Sequence, residues 1–187
     1  ELSSFQLEGL FDFQADISAI INITPDHLDR YDYNFDKYGE AKWNLAKHTK
    51  KDGLLILNED DQASVNLLKK YPVDTNIVWL SANNPNVLAS MESNKIFEIN
   101  LFGAHNYFNA SVAKTIAESV GLNEELIKKG FNDFKSIEHR LETVAKINGV
   151  LFINDSKATN LDAAEVALNA FEQNIIWIAG GTDKGND

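Results

Sequence analysis

The sequence predicts an α/β fold on a mostly parallel sheet, and two patterns carry that expectation. Short, nearly continuous apolar runs occur at Asp16 to Thr24, Gly53 to Leu57, Asn76 to Leu80 and Asn174 to Ala179. Helical periodicity alternates with them: Phe35, Tyr38, Ala41 and Leu45 line one stripe, and Tyr107, Ala110, Ala113, Ala117 and Val120 another. Apolar strands of this kind are buried on both faces and need covering helices. Functional groups in such a fold belong at the C-terminal ends of the strands.

The first run, DISAIINIT, is isoleucine-rich and closed by Pro25, so it reads as a strand leading into a loop. Asn123 followed by Glu124 and Glu125 is a helix start, because the amide caps an orphan N–H and the acids complement the helix dipole. That helix should end near Phe134, with SIEHRLE as a linker. Thr143 to Ile147 and Val150 to Ile153 flank Asn148-Gly149, a two-residue hairpin signal. A helix with Leu161, Ala164, Leu168 and Phe171 on one face follows, and then the strand NIIWIAGG. This order resembles the opening of a second α/β domain, which places a boundary near residue 141: residues 1–141 form one unit and 142–187 the start of another.

Composition narrows the function. The 187 residues carry 17 Lys+Arg against 28 Asp+Glu, a formal charge of −11 that gives the chain no general hold on nucleic acid or anionic membranes. There is no cysteine, so disulfides, thiolate metal sites and a cysteine nucleophile are excluded, in keeping with a cytoplasmic protein. No run of about 18 apolar residues and no signal-peptide pattern occurs, and the ordinary mixed charge points to a monomer. Neither G-x-x-x-x-G-K-[ST], H-E-x-x-H nor G-x-S-x-G is present. The chain begins without methionine and stops just after an apolar run, so it is expected to be part of a longer protein.

Four segments could carry chemistry. TPDHLDRY follows the first strand directly; His27 and its neighbouring carboxylates, with Glu1, could hold Mg²⁺, or Asp29 and Arg30 could simply pair on the surface. Lys42 lies on the apolar stripe with Tyr38 and Leu45, where a lysine snorkels, pairs with an acid, or loses its proton and reacts, for example with carbon dioxide. His105 and Asn109 are one turn apart at a helix start suited to an anion or a polar ring edge, unless Asn106 only caps that helix. NDSKATN joins a strand to a helix and gathers Asp155, Ser156, Lys157, Thr159 and Asn160, a set able to receive carboxylate or phosphate, although Asn160 could be only an N-cap. GGTDKGND adds Asp183 and Lys184 on a glycine-rich loop.

Taken together, ELSSFQLE, NITPDHLDRY, YGEAKWNL, GAHNYFNA, EHRLE, INDSKATN and GGTDKGND resemble the Mur ligase family, and ELSSFQLE with DSKATN resembles its D-glutamate-adding member. The resemblance implies a P-loop ATPase-like central domain followed by a Rossmann-like C-terminal domain. It implies ATP-dependent joining of D-glutamate to UDP-N-acetylmuramoyl-L-alanine through an acyl phosphate. Glu1 and His27 would be ligands of two magnesium ions, and Lys42 would be a carbamate placing the second. Ser3 would contact the muramoyl substrate. Asn109, Arg140 and Asp155 would hold ATP, and Lys157, Thr159 and Lys184 the D-glutamate carboxylates. His139 would support the interdomain hinge. The UDP-binding domain and the P-loop would precede Glu1, and most of the C-terminal domain would follow Asp187. The alternatives are another amino-acid ligase of the same superfamily, such as the folylpolyglutamate type, and a non-catalytic α/β binding module.

Overall fold

The computed structural model describes residues 1–82, 104–172 and 174–181. Three parallel strands form the main sheet in the order β1 (Ala15–Ile20), β2 (Thr49–Asn58), β3 (Asn76–Leu80). Helix α2 (Phe35–Lys47) connects β1 to β2 and α3 (Gln62–Lys70) connects β2 to β3, as a parallel sheet requires of its crossovers. Each helix starts where a side chain accepts an otherwise unpaired amide: Asn34 from the Lys37 N–H at 3.1 Å, and Asp61 from the Ser64 N–H at 3.0 Å.

The central strand separates two cores by its pleat. Leu55 and Leu57 face one way, into a cluster with Ile20, Ile23, Tyr31, Tyr38, Trp43 and Leu67. Ile56 faces the other way and meets Phe108 and Val112 of α4 (Ala104–Ser119). The sheet is therefore covered on both faces, as its apolar runs predict. Trp43 is fully buried, and its indole N–H donates to the Tyr71 carbonyl at 3.0 Å, tying α2 to the end of α3.

β2 begins at Thr49, four residues before the apolar run. Between the pairs Ala15↔Thr49 and Ile17↔Leu54 the register shifts through a bulge, which lets the polar segment Lys50 to Asp52 loop outward before regular pairing resumes. Gly53 closes this bulge where a Cβ would lie 2.6 Å from the Asp16 carbonyl oxygen.

α4 forms where expected, but the stripe against the sheet differs from the periodic one. Phe108, Val112 and Ile116 pack on the strands, whereas Tyr107 and Ala110 turn toward Phe131 of α5 (Glu124–Asp133), and Ala113 and Val120 are exposed. A helix between a sheet and a second helix buries two stripes, and periodicity alone cannot say which faces the strands. Asn106 lies inside α4 and so is not its N-cap residue. Asn123 caps α5, accepting from the Leu126 N–H at 2.9 Å.

After the linker, β4 (Glu142–Ile147) and β5 (Val150–Asn154) form an antiparallel hairpin with Asn148 and Gly149 at positive φ, then α6 (Leu161–Leu168) follows. Asn160 is the N-cap of α6. The run Asn174 to Ala179 is not a strand here. No described strand pairs with it, and Ile176 and Ile178 are about nine-tenths exposed. An apolar run forms a strand only with a partner for its backbone groups.

Candidate active site

Helix α1 (Ser4–Leu7), the loop after β1 and the outer face of α2 meet at the C-terminal edge of the sheet. α1 begins with a reciprocal cap: the Ser3 hydroxyl accepts from the Gln6 N–H at 3.3 Å, and the Gln6 side chain accepts from the Ser3 N–H at 2.8 Å. Ser3 is thus engaged in holding α1. Asn44 of α2 donates to the Leu7 carbonyl, which fixes α1 against α2.

The loop carries one 3-10 turn, Leu28–Tyr31, and is pinned by aromatic packing. Phe5 meets the His27 ring edge-on with centroids 5.3 Å apart, stacks near-parallel to Tyr31, and carries the Arg30 guanidinium over its face at 4.4 Å. Arg30 pairs with Glu8 at 3.5 Å, so the surface pair with Asp29 does not form. Phe5 and Glu8 are contributors that sequence reading missed, because stacking and pairing between distant segments leave no local signal. The Tyr31 hydroxyl is buried and has no hydrogen-bond partner among the described residues.

Lys42 is half-buried on α2, with its ammonium 5.5 Å from the centre of the Tyr38 ring. Burial holds its pKa below the ordinary 10.5, while the carboxylates of Asp26 and then Glu1 pull it back up. Tyr38 is pushed up to about 12 by burial, then by the Asp26 carboxylate and Tyr31, so its hydroxyl stays protonated. Asp26 accepts the His27 N–H through Oδ1 at 2.9 Å and sets Oδ2 3.6 Å from His27 Nε2. His27 itself takes the left-handed conformation, φ 50°. Of the residues the sequence singles out, His27 touches the Asp26 carboxylate, and Lys42 feels the charge of Asp26 and then of Glu1.

Among the described residues no three His, Asp or Glu side chains converge as a ready metal cage. Magnesium does not need one: it is commonly taken by one or two protein carboxylates together with waters and substrate phosphates. The carboxylates and imidazole gathered here are of the kind a hard cation accepts, so the residues fit the ion.

A second group of predicted residues surrounds the turn before the hairpin. His139 and Leu141 are both left-handed, with φ 68° and 44°, and three hydrogen bonds clasp them to the end of β5 and the turn after it. The Lys157 N–H donates to the His139 carbonyl at 3.1 Å and the Leu141 N–H to Asp155 Oδ1 at 3.0 Å. The His139 N–H donates to Glu142 at 2.9 Å, and the Asn154 amide reaches His139 Nδ1 at 2.8 Å and Glu142 at 3.4 Å. Asp155 also faces His105 of α4, whose pKa burial lowers and Asp155 raises, with burial the larger influence. Arg140, Lys157 and Thr159 are exposed around this clasp, and no described carboxylate ion-pairs with Arg140 or Lys157. Asn109 lies one turn beyond His105 on α4 and is exposed. Asp183 and Lys184 lie outside the described residues.

The family model described as "Mur ligase middle domain" matches residues 1–117, from α1 through most of α4. The chain belongs to the Mur ligase family. Its curated relatives include the UDP-N-acetylmuramoylalanine--D-glutamate ligases of Porphyromonas gingivalis (37% identical), Christiangramia forsetii (38%) and Acidobacterium capsulatum (41%), each aligned over 100% of this chain. The chain spans 45%, 45% and 44% of those three proteins. Among solved Mur ligase structures, MurF from Acinetobacter baumannii superposes with a TM-score of 0.68 at 20% identity, covering 86% of this chain and 38% of MurF. MurF ligase from Thermotoga maritima, in complex with ADP, gives 0.61 at 15% identity, covering 84% of this chain and 39% of that one. These two likenesses carry the Mur ligase fold alone. No helix among the described residues is long and apolar enough to cross a membrane.

Proposed function

We propose that this chain is part of an ATP-dependent ligase joining D-glutamate to UDP-N-acetylmuramoyl-L-alanine in cytoplasmic peptidoglycan synthesis, with residues 1–141 in its central domain and 142–187 opening its C-terminal domain. The observation that carries the reading is the half-buried Lys42 facing Asp26 and Glu1 beside His27, at the sheet edge where catalytic groups of this fold belong. The three curated D-glutamate ligases, similar along the whole chain, favour that acceptor.

A carboxylate is a poor acyl donor. In the proposed reaction an oxygen of the L-alanine carboxylate attacks the γ-phosphorus of ATP, the bond to the β-phosphate oxygen breaks, and ADP leaves. The D-glutamate amine then attacks the acyl carbon, loses a proton and expels phosphate. Glu1, His27 and Lys42 would hold the magnesium ions, which offset the negative charge gathered at the transferring phosphoryl group. Burial raises the neutral fraction of the Lys42 amine, which can form a bond to carbon dioxide and release a proton, leaving a carbamate anion suited to a hard cation. Arg140, exposed and without a described carboxylate partner, is suited to nucleotide phosphate, and Asn109 and Asp155 would hold the rest of the nucleotide. Lys157 and Thr159, joined by Lys184, would receive the D-glutamate carboxylates, and Ser3 the muramoyl substrate.

The test is phosphate release by the full-length protein with ATP, Mg²⁺ and UDP-N-acetylmuramoyl-L-alanine, offering D-glutamate, L-glutamate and meso-diaminopimelate in turn. Release with D-glutamate alone and the matching amide product is expected. Efficient use of L-glutamate or meso-diaminopimelate with none of D-glutamate would replace this reading with that of a sister ligase, and release with none would replace it with that of a binding module.

A further inference from the structure

Three groups assigned to the reaction come from three different segments: Glu1 before α1, His27 in the loop after β1, and Lys42 on α2. Something must hold them in register, and one carboxylate touches His27 directly and lies within electrostatic reach of Lys42. Asp26 binds the His27 backbone N–H through Oδ1 at 2.9 Å, and its Oδ2 stands 3.6 Å from His27 Nε2. The same carboxylate is the foremost charge acting on Lys42, ahead of Glu1, and the foremost acting on Tyr38, over whose ring Lys42 lies. Its side chain is about one quarter exposed, against one half for His27.

Resting on the reading above, we infer that Asp26 is a positioning residue of the ligase centre: its carboxylate fixes the His27 turn and keeps the Lys42 head aimed at the same point as the His27 imidazole. Without it, Lys42 is free to extend toward solvent along its flexible stem, as half-buried lysines do. His27 also loses the acceptor that holds its N–H in a left-handed turn, which a non-glycine residue adopts only when its surroundings hold it there.

Two variants of the full-length protein separate these parts. Asp26→Asn keeps an oxygen for the His27 N–H and removes the charge facing Lys42; Asp26→Ala removes both. Outer partners of metal-binding side chains typically cost about 10- to 100-fold in metal affinity or activity when removed. Asp26→Asn should therefore lower kcat about tenfold or more with the KM for the UDP substrate changed less than about twofold, and Asp26→Ala should lower it further. Mn²⁺ affinity, read by electron paramagnetic resonance on the protein with Mn²⁺ alone, should weaken in the same order, and Asp26→Glu should recover part of both losses. The Mn²⁺ readout needs no amino-acid acceptor. Weakened Mn²⁺ binding in both variants of a protein that releases no phosphate would therefore uphold the role of Asp26 while removing the D-glutamate reading. Parent-like kcat and parent-like Mn²⁺ affinity in both variants would overturn the inference.

Discussion

Lys42 carries the largest consequence of any single residue in this chain. Its amine is half-desolvated, so the folded state binds the ammonium proton less tightly than the unfolded one. In the window just below the ordinary lysine value of 10.5 the unfolded chain holds more protons, and stability contributed by this site rises as pH rises. In buffer free of carbon dioxide, urea unfolding at neutral pH and just below 10.5 should show that rise for the parent and lose it in Lys42→Met, which should be as stable as the parent or more so at neutral pH. The same position is where activity should fail: Lys42→Ala should lower kcat about 10²- to 10³-fold, and added short carboxylates should restore part of it. The sequence exposed this residue because a lysine on an apolar stripe contradicts its surroundings. It did not expose Phe5 or Glu8, whose roles depend on which distant segments α1 meets.

At the scale of elements, local chemistry was legible and choice of neighbour was not. Caps at Asn123 and Asn160, the Asn148-Gly149 hairpin and the strand Asn76–Leu80 all formed where turn and capping residues dictate. The periodic stripe of α4 is not the one that faces the sheet, because that helix has two apolar neighbours. The start of β2 was also missed, since a bulge holds polar residues inside a strand. That bulge makes its own prediction. A Cβ at Gly53 would press on two backbone carbonyls, the Asp16 oxygen at 2.6 Å and the Lys50 oxygen at 2.9 Å, neither of which can swing aside like a side chain. Gly53→Ala should destabilise by about 1–3 kcal/mol, measured as a fall in the urea midpoint at unchanged slope. A similar cost, about 2 kcal/mol, is expected for Trp43→Phe, which leaves a gap in the core and the Tyr71 carbonyl without its indole donor.

Across the whole molecule, the residues proposed for the site fall into two groups. Glu1, His27 and Lys42 sit on the parallel sheet and its helices, whereas Asp155, Lys157 and Arg140 ride on a hairpin clasped to the turn that precedes it. The clasp joins residues 139–142 to 154–157, so His139 and Arg140 are held against the hairpin. In the proposed ligase one unit presents the activated acyl group and the other the amine, so bond formation requires both. The first step leaves a chemical trace: the oxygen taken from the L-alanine carboxylate must depart with phosphate. The most direct test supplies the full-length protein with ATP, Mg²⁺, D-glutamate and UDP-N-acetylmuramoyl-L-alanine labelled with ¹⁸O in the alanine carboxylate, and weighs the released phosphate. Phosphate carrying one ¹⁸O atom is the predicted result; unlabelled phosphate would contradict activation of that carboxylate and with it the ligase chemistry assigned to this centre.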